Sequence, residues 1–165
     1  MNINRITKHL LLTHWQVNRA FPRQTLTAIE QAIKASESTH VGEIRFAVEG
    51  ALHGAALLKG QSAKQRALEV FSQLGVWDTE HNNGLLIYLL LADRAVEIVA
   101  DRGIHSKVGL PEWEEVCRSM EAAFGQAKYE WGVVCGVQAV TRHLAKHFPA
   151  SDTGRNELPD NPMVM

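Results

Sequence analysis

Residues 82–103 read NNGLLIYLLLADRAVEIVADRG, and how this stretch is read decides the fold. Residues 85–91, LLIYLLL, are apolar without alternation and of strand length, the pattern of a strand covered on both faces. Residues 95–100, AVEIVA, make a second strand. The connection ADR is too short for anything but an antiparallel neighbour, so the two form a hairpin with the first strand at the centre of the sheet. Polar side chains crowd both ends of the hairpin: Asp78, Glu80, Asn82 and Asn83 before it, Asp101 after it. Whether they form a site depends on whether the two ends meet.

Working outward, EIRFAV at residues 43–48 alternates with period two and turns Ile44, Phe46 and Val48 to one side, as a strand does. Ser62 is placed to cap a helix whose inner face carries Ala67, Val70, Phe71 and Leu74, and Gly75 ends that helix. Strand, helix, strand is a crossover unit, which sets its two strands parallel. Their starting ends share one edge of the sheet, and the returning hairpin strand ends there too. His40, Glu43, residues 78–83 and residues 101–105 are therefore expected along a single edge.

The rest of the chain reads as helix. Residues 3–15 place Ile6, Leu10 and Leu11 on one face of an amphipathic helix. A second helix carries Leu26, Ile29 and Ile33, with Thr25 as its cap, and ends near Glu37. Residues 50–60 are expected to be a loop. Pro111 opens another helix, Gly125 marks a break, and a last helix runs over residues 128–147. The expected organisation is an N-terminal helical extension (1–40), an α/β domain (41–148) with a mixed sheet sandwiched between helices, and a polar, proline-containing tail (149–165) that is disordered.

With 17 basic and 18 acidic residues the chain has a net charge of -1, too balanced a field to hold a nucleic acid backbone. Cys117 and Cys135 lack the short spacing of zinc or redox motifs and read as buried thiols of a reducing compartment. The N-terminus does not read as a secretory signal, and no run of about 18 apolar residues suggests a membrane span. The expectation is a cytoplasmic chain, with peripheral attachment to a membrane through another protein left open.

Glu43, Asp78, Glu80, Asn82, Asn83 and Asp101 offer oxygen ligands of the kind a hard divalent cation prefers. Calcium suits such an irregular set better than magnesium, which demands a strict octahedron. The other reading is that DTEHNNG, residues 78–84, is a turn satisfying its own backbone and that Glu43 pairs with Arg102. The segment is not an EF-hand, because its glycine falls one position late and Leu89 stands where the closing glutamate belongs. His143 and His147 lie four apart, but Leu144 stands where a zinc protease needs glutamate, so they read as cations at a helix end. A second candidate lies at the opposite edge, where Glu49, His53, Lys59 and the helix start at Ser62 could hold an anion.

In order of elements, residues 42–140 resemble the TPM domain, which occurs in thylakoid lumen proteins linked to photosystem II repair, in a nematode acetylcholine-receptor modulator and in many bacterial proteins. The likeness rests on EIRFAV, RALEVFSQLGVWD, NNGLLIYLL, AVEIVADRGI and YEWGVVCGVQAV in that order. Asp78, Asn82, Asn83 and Gly84 fit the family's loop, while Asp101 stands where many members have glycine. The resemblance implies an α/β sandwich, a divalent cation, often calcium, near the sheet edge, and an acid phosphatase activity associated with some plant members. Many bacterial members have a signal peptide and a membrane segment, and this chain looks like the short soluble branch. A non-catalytic accessory or binding module, with an unidentified and membrane-associated protein as partner, is the leading functional expectation. The alternative is a metal-dependent phosphatase acting on phosphate esters.

Overall fold

The computed structural model describes residues 3–151 and 156–165. A four-stranded mixed sheet lies between two helical layers, in the order β3-β2-β1-β4. Strand β1 (Glu43–Glu49) runs parallel to β2 (Gly84–Leu90), with Glu43 opposite Gly84, and β2 runs antiparallel to β3 (Ala95–Ala100). These are the expected crossover and hairpin.

Strand β2 is buried along its whole length, which accounts for its unbroken apolar run. Leu85, Ile87 and Leu89 join Ile44, Phe46 and Val48 in one core, against α3 (Arg23–Ser36), α7 (Leu110–Gly125) and α8 (Tyr129–His147). Leu86, Tyr88 and Leu90 enter the other, against α5 (Ala63–Gln73). Each fully buried leucine contributes at most ~2 kcal/mol of transfer free energy. Charge on either face of β2 would therefore cost a core.

The N-terminal region departs from its expectation. In place of one helix there are two, α1 (Ile3–Leu11) and α2 (His14–Ala20). The break falls at Thr13, whose extended backbone lets its N–H donate to the Gln16 side chain at 2.9 Å, the start signal of a new helix. Of the expected apolar face of α1, Ile6 packs inward while Leu10 and Leu11 stay exposed. Thr25 is no cap: it sits inside the first turn of α3, and its hydroxyl donates to Glu130 at 2.8 Å. Residues 50–60, expected as loop, contain a short helix, α4 (Gly54–Leu58), because Leu52 and Leu57 have a core to enter. A further turn of helix, α6 (Arg102–His105), follows β3.

The tail differs most from its expectation of disorder. Residues 152–155 lie outside the described residues, but the end of the chain packs on the sheet. Strand β4 (Met163–Val164) pairs parallel to β1, with Met165 N–H donating to Val48 and Gly50 N–H donating to Met165. The guanidinium of Arg45, buried on β1, donates to the carbonyls of Pro159 and Asn161. Polar composition concealed this, since the tail is held by backbone hydrogen bonds and by Leu158, Met163 and Met165 packing on the second core. No helix of the described residues is long and apolar enough to cross a membrane.

Candidate functional site

The backbones of the expected edge converge. Glu43 N–H donates to Asn83 O at 3.1 Å, Asp101 N–H to Gly84 O at 2.9 Å and Gly103 N–H to Asn82 O at 3.0 Å. A Cβ on Gly84 would run into the carbonyl of Val76, and one on Gly103 would stand 2.5 Å from Asn82 O. The glycine of ADRG lets the end of β3 close on the NNG loop, and that of NNG lets the start of β2 pass against the backbone of Val76 in the turn after residue 73.

The side chains do not follow the backbones into one cluster. The Glu43 carboxylate accepts the N–H groups of Glu157 and Leu158 from the tail, at 3.1 and 3.2 Å, and is not paired with Arg102. Arg102 instead donates to Asn82 Oδ1 at 2.8 Å, and Asp101 caps α6 through the Arg102 N–H at 2.7 Å. Asn83 donates to Val41 O at 2.8 Å. Asp78 and Glu80 are exposed on the loop, and Glu80 N–H donates to the Glu157 carboxylate. Among the described residues no group of three or more His, Cys, Asp or Glu could hold a metal ion as it stands. Two of the six expected ligands nevertheless keep a buried oxygen without a hydrogen-bond partner, Asn83 Oδ1 and Asp101 Oδ2.

Around Glu43 the tail assembles an acidic pocket that sequence reasoning did not reach. A cavity of about 240 Å³ is lined by Glu37, His40, Glu43 and Asn156 among others. The Asn156 amide donates to Glu37 at 2.9 Å and to Asp160 at 3.0 Å. Burial, and then a hydrogen bond shared with Asp160, push the Glu37 carboxyl up to about 7. Burial also raises Glu43, against the two tail N–H groups that hold its charge. His40 is lowered by burial, the backbone of Gly42 opposing this. Burial thus works against the charged form of all three groups, making the two carboxyls hold a proton more readily and the imidazole less.

The second candidate dissolves into structure. Ser62 caps α5 by accepting the Gln65 N–H at 3.1 Å, and Glu49 is occupied by Tyr88 Oη at 2.7 Å and Arg66 Nε at 2.8 Å. His53 and Lys59 are exposed at the ends of α4. His143 stacks edge-on to Trp113 at 5.2 Å. Both cysteines are free and half-buried, and burial pushes the Cys117 thiol up to about 12, out of nucleophilic range.

A large concavity lies at the carboxyl end of β2. An open groove of about 1050 Å³ is bounded by α1 and α2, by the β2–β3 turn and by the start of α8. Trp15, Tyr129 and Trp131 supply aromatic surface, and Lys8, Arg19, Arg94 and Lys128 supply four cations. Asp93 is held by Arg5 at 2.8 Å and His9 at 3.0 Å, and Glu130 accepts from Thr25. Among the described residues none of Lys8, Arg94 and Lys128 pairs with a carboxylate, and Arg19 lies 5.3 Å from the centre of the Trp15 ring. Among the described residues, the non-glycine ones with positive φ are Asn82, Arg94 and Ala127, and the last two line this groove. A signal was present in the sequence: the first acidic residue is Glu30, whereas Arg5, Lys8, Arg19 and Arg23 precede it.

A crossover of two parallel strands, a hairpin returning to their common edge and a helical layer on each face define an α/β sandwich closed by NNG and DRG. The chain belongs to the TPM domain family, whose pattern matches residues 18–143. It is similar to the BA42 protein of the psychrophilic bacterium Bizionia argentinensis, solved by NMR, at 29% identity and a TM-score of 0.76, over 86% of this chain and 93% of that one. It is also similar in fold to the N-terminal domain of a P. gingivalis protein, at 22% identity and a TM-score of 0.59, over 73% of this chain and 76% of that one. None of the curated proteins matches the chain.

Proposed function

We propose that this TPM-domain chain is a non-catalytic binding module and that the groove at the carboxyl end of β2 is its working surface. The observation that carries this reading is the lining of the groove, where solvent-exposed tryptophans stand among cations that no carboxylate of the described chain neutralises. Exposed aromatic and cationic groups around one concavity are the composition of a recognition surface. The test uses anilinonaphthalene sulfonate, an anionic aromatic probe. Saturable fluorescence enhancement, weakened by Trp131→Ala and by Arg94→Ser, is expected. Enhancement indifferent to both variants would overturn the groove reading. Turnover of p-nitrophenyl phosphate, lost on adding chelator and in Asp78→Ala alike, would put the phosphatase alternative in its place.

A divalent cation at the opposite edge is a second reading, favoured by the unpartnered buried oxygens of Asn83 and Asp101. Such acceptors suit calcium, whose coordination tolerates mixed carboxylate and amide ligands. The cation would be structural there, tying the NNG loop to the start of α6.

A further inference from the structure

Resting on the groove reading, we infer that the occupant of the groove is an acidic, partly apolar peptide segment of a partner protein. Charge selects its sign. Lys8, Arg19, Arg94 and Lys128 face the groove, against two carboxylates that are both already engaged: Asp93 by Arg5 and His9, Glu130 by Thr25. The first turns of α3 and α8 meet at that Thr25–Glu130 contact, and the partial positive charge of two helix starts adds to the same sign. Lysine and arginine around a groove favour an anionic partner and speed its encounter.

Shape selects a chain segment. At about 1050 Å³ the groove reaches the upper end of small-molecule sites, roughly 300–1,000 Å³, and it is open to solvent, so a chain segment can enter it from outside. It is concave, a form that a flat bilayer surface does not follow. Trp15 and Trp131, 65% and 59% exposed, offer broad rings to aliphatic or aromatic side chains, at little entropic cost because each has only two torsions. The floor is held before anything binds: Asp93 is fixed from two sides, and Arg94 keeps a left-handed backbone with φ of 52°. An acidic peptide carrying apolar side chains meets both demands, for charge and for apolar contact.

The experiment is fluorescence anisotropy with a labelled peptide in which glutamate alternates with leucine and phenylalanine. Two control peptides carry lysine for glutamate, or serine for the apolar residues. The acidic apolar peptide is expected to bind saturably, more weakly as salt rises, and about tenfold more weakly to Arg94→Ser combined with Lys128→Ser. Lys146→Ser, at the far end of α8, should bind as wild type, and all variants are checked by thermal melting. Equal binding of the lysine peptide, or no saturation with any of the three, overturns the peptide. If anilinonaphthalene sulfonate binding survives that result, the groove reading stands. Cosedimentation with phosphatidylglycerol vesicles, lost in the double variant while the peptides fail, would replace the peptide by an anionic membrane surface. Loss of both peptide and dye binding would overturn the groove reading as well.

Discussion

His9, wholly buried on α1, holds its Nε2 3.0 Å from the carboxylate of Asp93 in the β2–β3 turn, while its Nδ1 accepts the N–H of Leu52 at 2.9 Å. One ring therefore ties the first helix to the turn between the central strands and to the loop after β1. Asp93→Ala leaves this buried ring half-satisfied and should cost about 1–3 kcal/mol in a urea titration. Burial alone would raise the Asp93 carboxyl, but hydrogen bonds from Arg5 and His9 outweigh it and hold the group below its ordinary range. A depressed carboxyl supplies stability above its unfolded value, about 3.9, and loses it as pH falls further. Wild type should lose more stability than Asp93→Asn between about pH 5 and about pH 3. Equal slopes would refute the assignment.

Glu37 works in the opposite sense. With its carboxyl raised from 4.5 to about 7, the folded chain holds a proton that the unfolded chain has released. The stability this supplies is complete below pH 4.5 and is lost as pH rises toward about 7. Urea midpoints across that window should fall in wild type and stay flatter in Glu37→Gln. The difference is on the order of 1 kcal/mol, given the partial exposure of the group. Asp160→Asn should flatten the profile as well.

Gly84→Ala should be the most damaging small substitution at the strand edge, because the added carbon meets the backbone carbonyl of Val76, which has no rotamer by which to yield. A loss of about 3 kcal/mol or more is expected. Gly125→Ala, at the end of α7 with open space around it, should be neutral or raise the melting temperature through helix propensity. Similar melting temperatures for the two variants would contradict this account of the NNG loop.

Calcium provides the test of the edge itself. In protein first stripped with chelator, millimolar calcium should raise the melting temperature, and magnesium should raise it less. Asp101→Asn should blunt the effect, while Glu49→Gln, at the other end of β1, should leave it intact. A melting temperature indifferent to calcium would reduce Asn83 and Asp101 to loop-forming residues.

The sequence alone determined the sheet's centre and the direction of its neighbours. An unbroken apolar run followed by a three-residue connection has one outcome, and a strand–helix–strand crossover has one hand, so β1, β2 and β3 were legible before any coordinate. Local start and stop residues, Ser62, Gly75 and Pro111, placed α5 and α7 for the same reason: capping and backbone freedom act within a few residues. The convergence of Glu43, Asn83 and Asp101 at one edge followed from topology.

Tertiary structure decided what those groups touch. Glu43 turns to the tail because Glu157 and Leu158, more than a hundred residues away in sequence, bring unpaired N–H groups to it. The tail reads as polar and proline-containing, yet the open edge of β1 gives its backbone somewhere to pair. The groove was legible only in part: the basic, acid-free stretch before Glu30 supplies Lys8 and Arg19, but Arg94 and Trp131 come from two other segments. Periodicity and capping are properties of neighbours along the chain. Which carboxylates lose their charge, and which cations keep theirs unpaired, depends on distances that only the packed helices and sheet set.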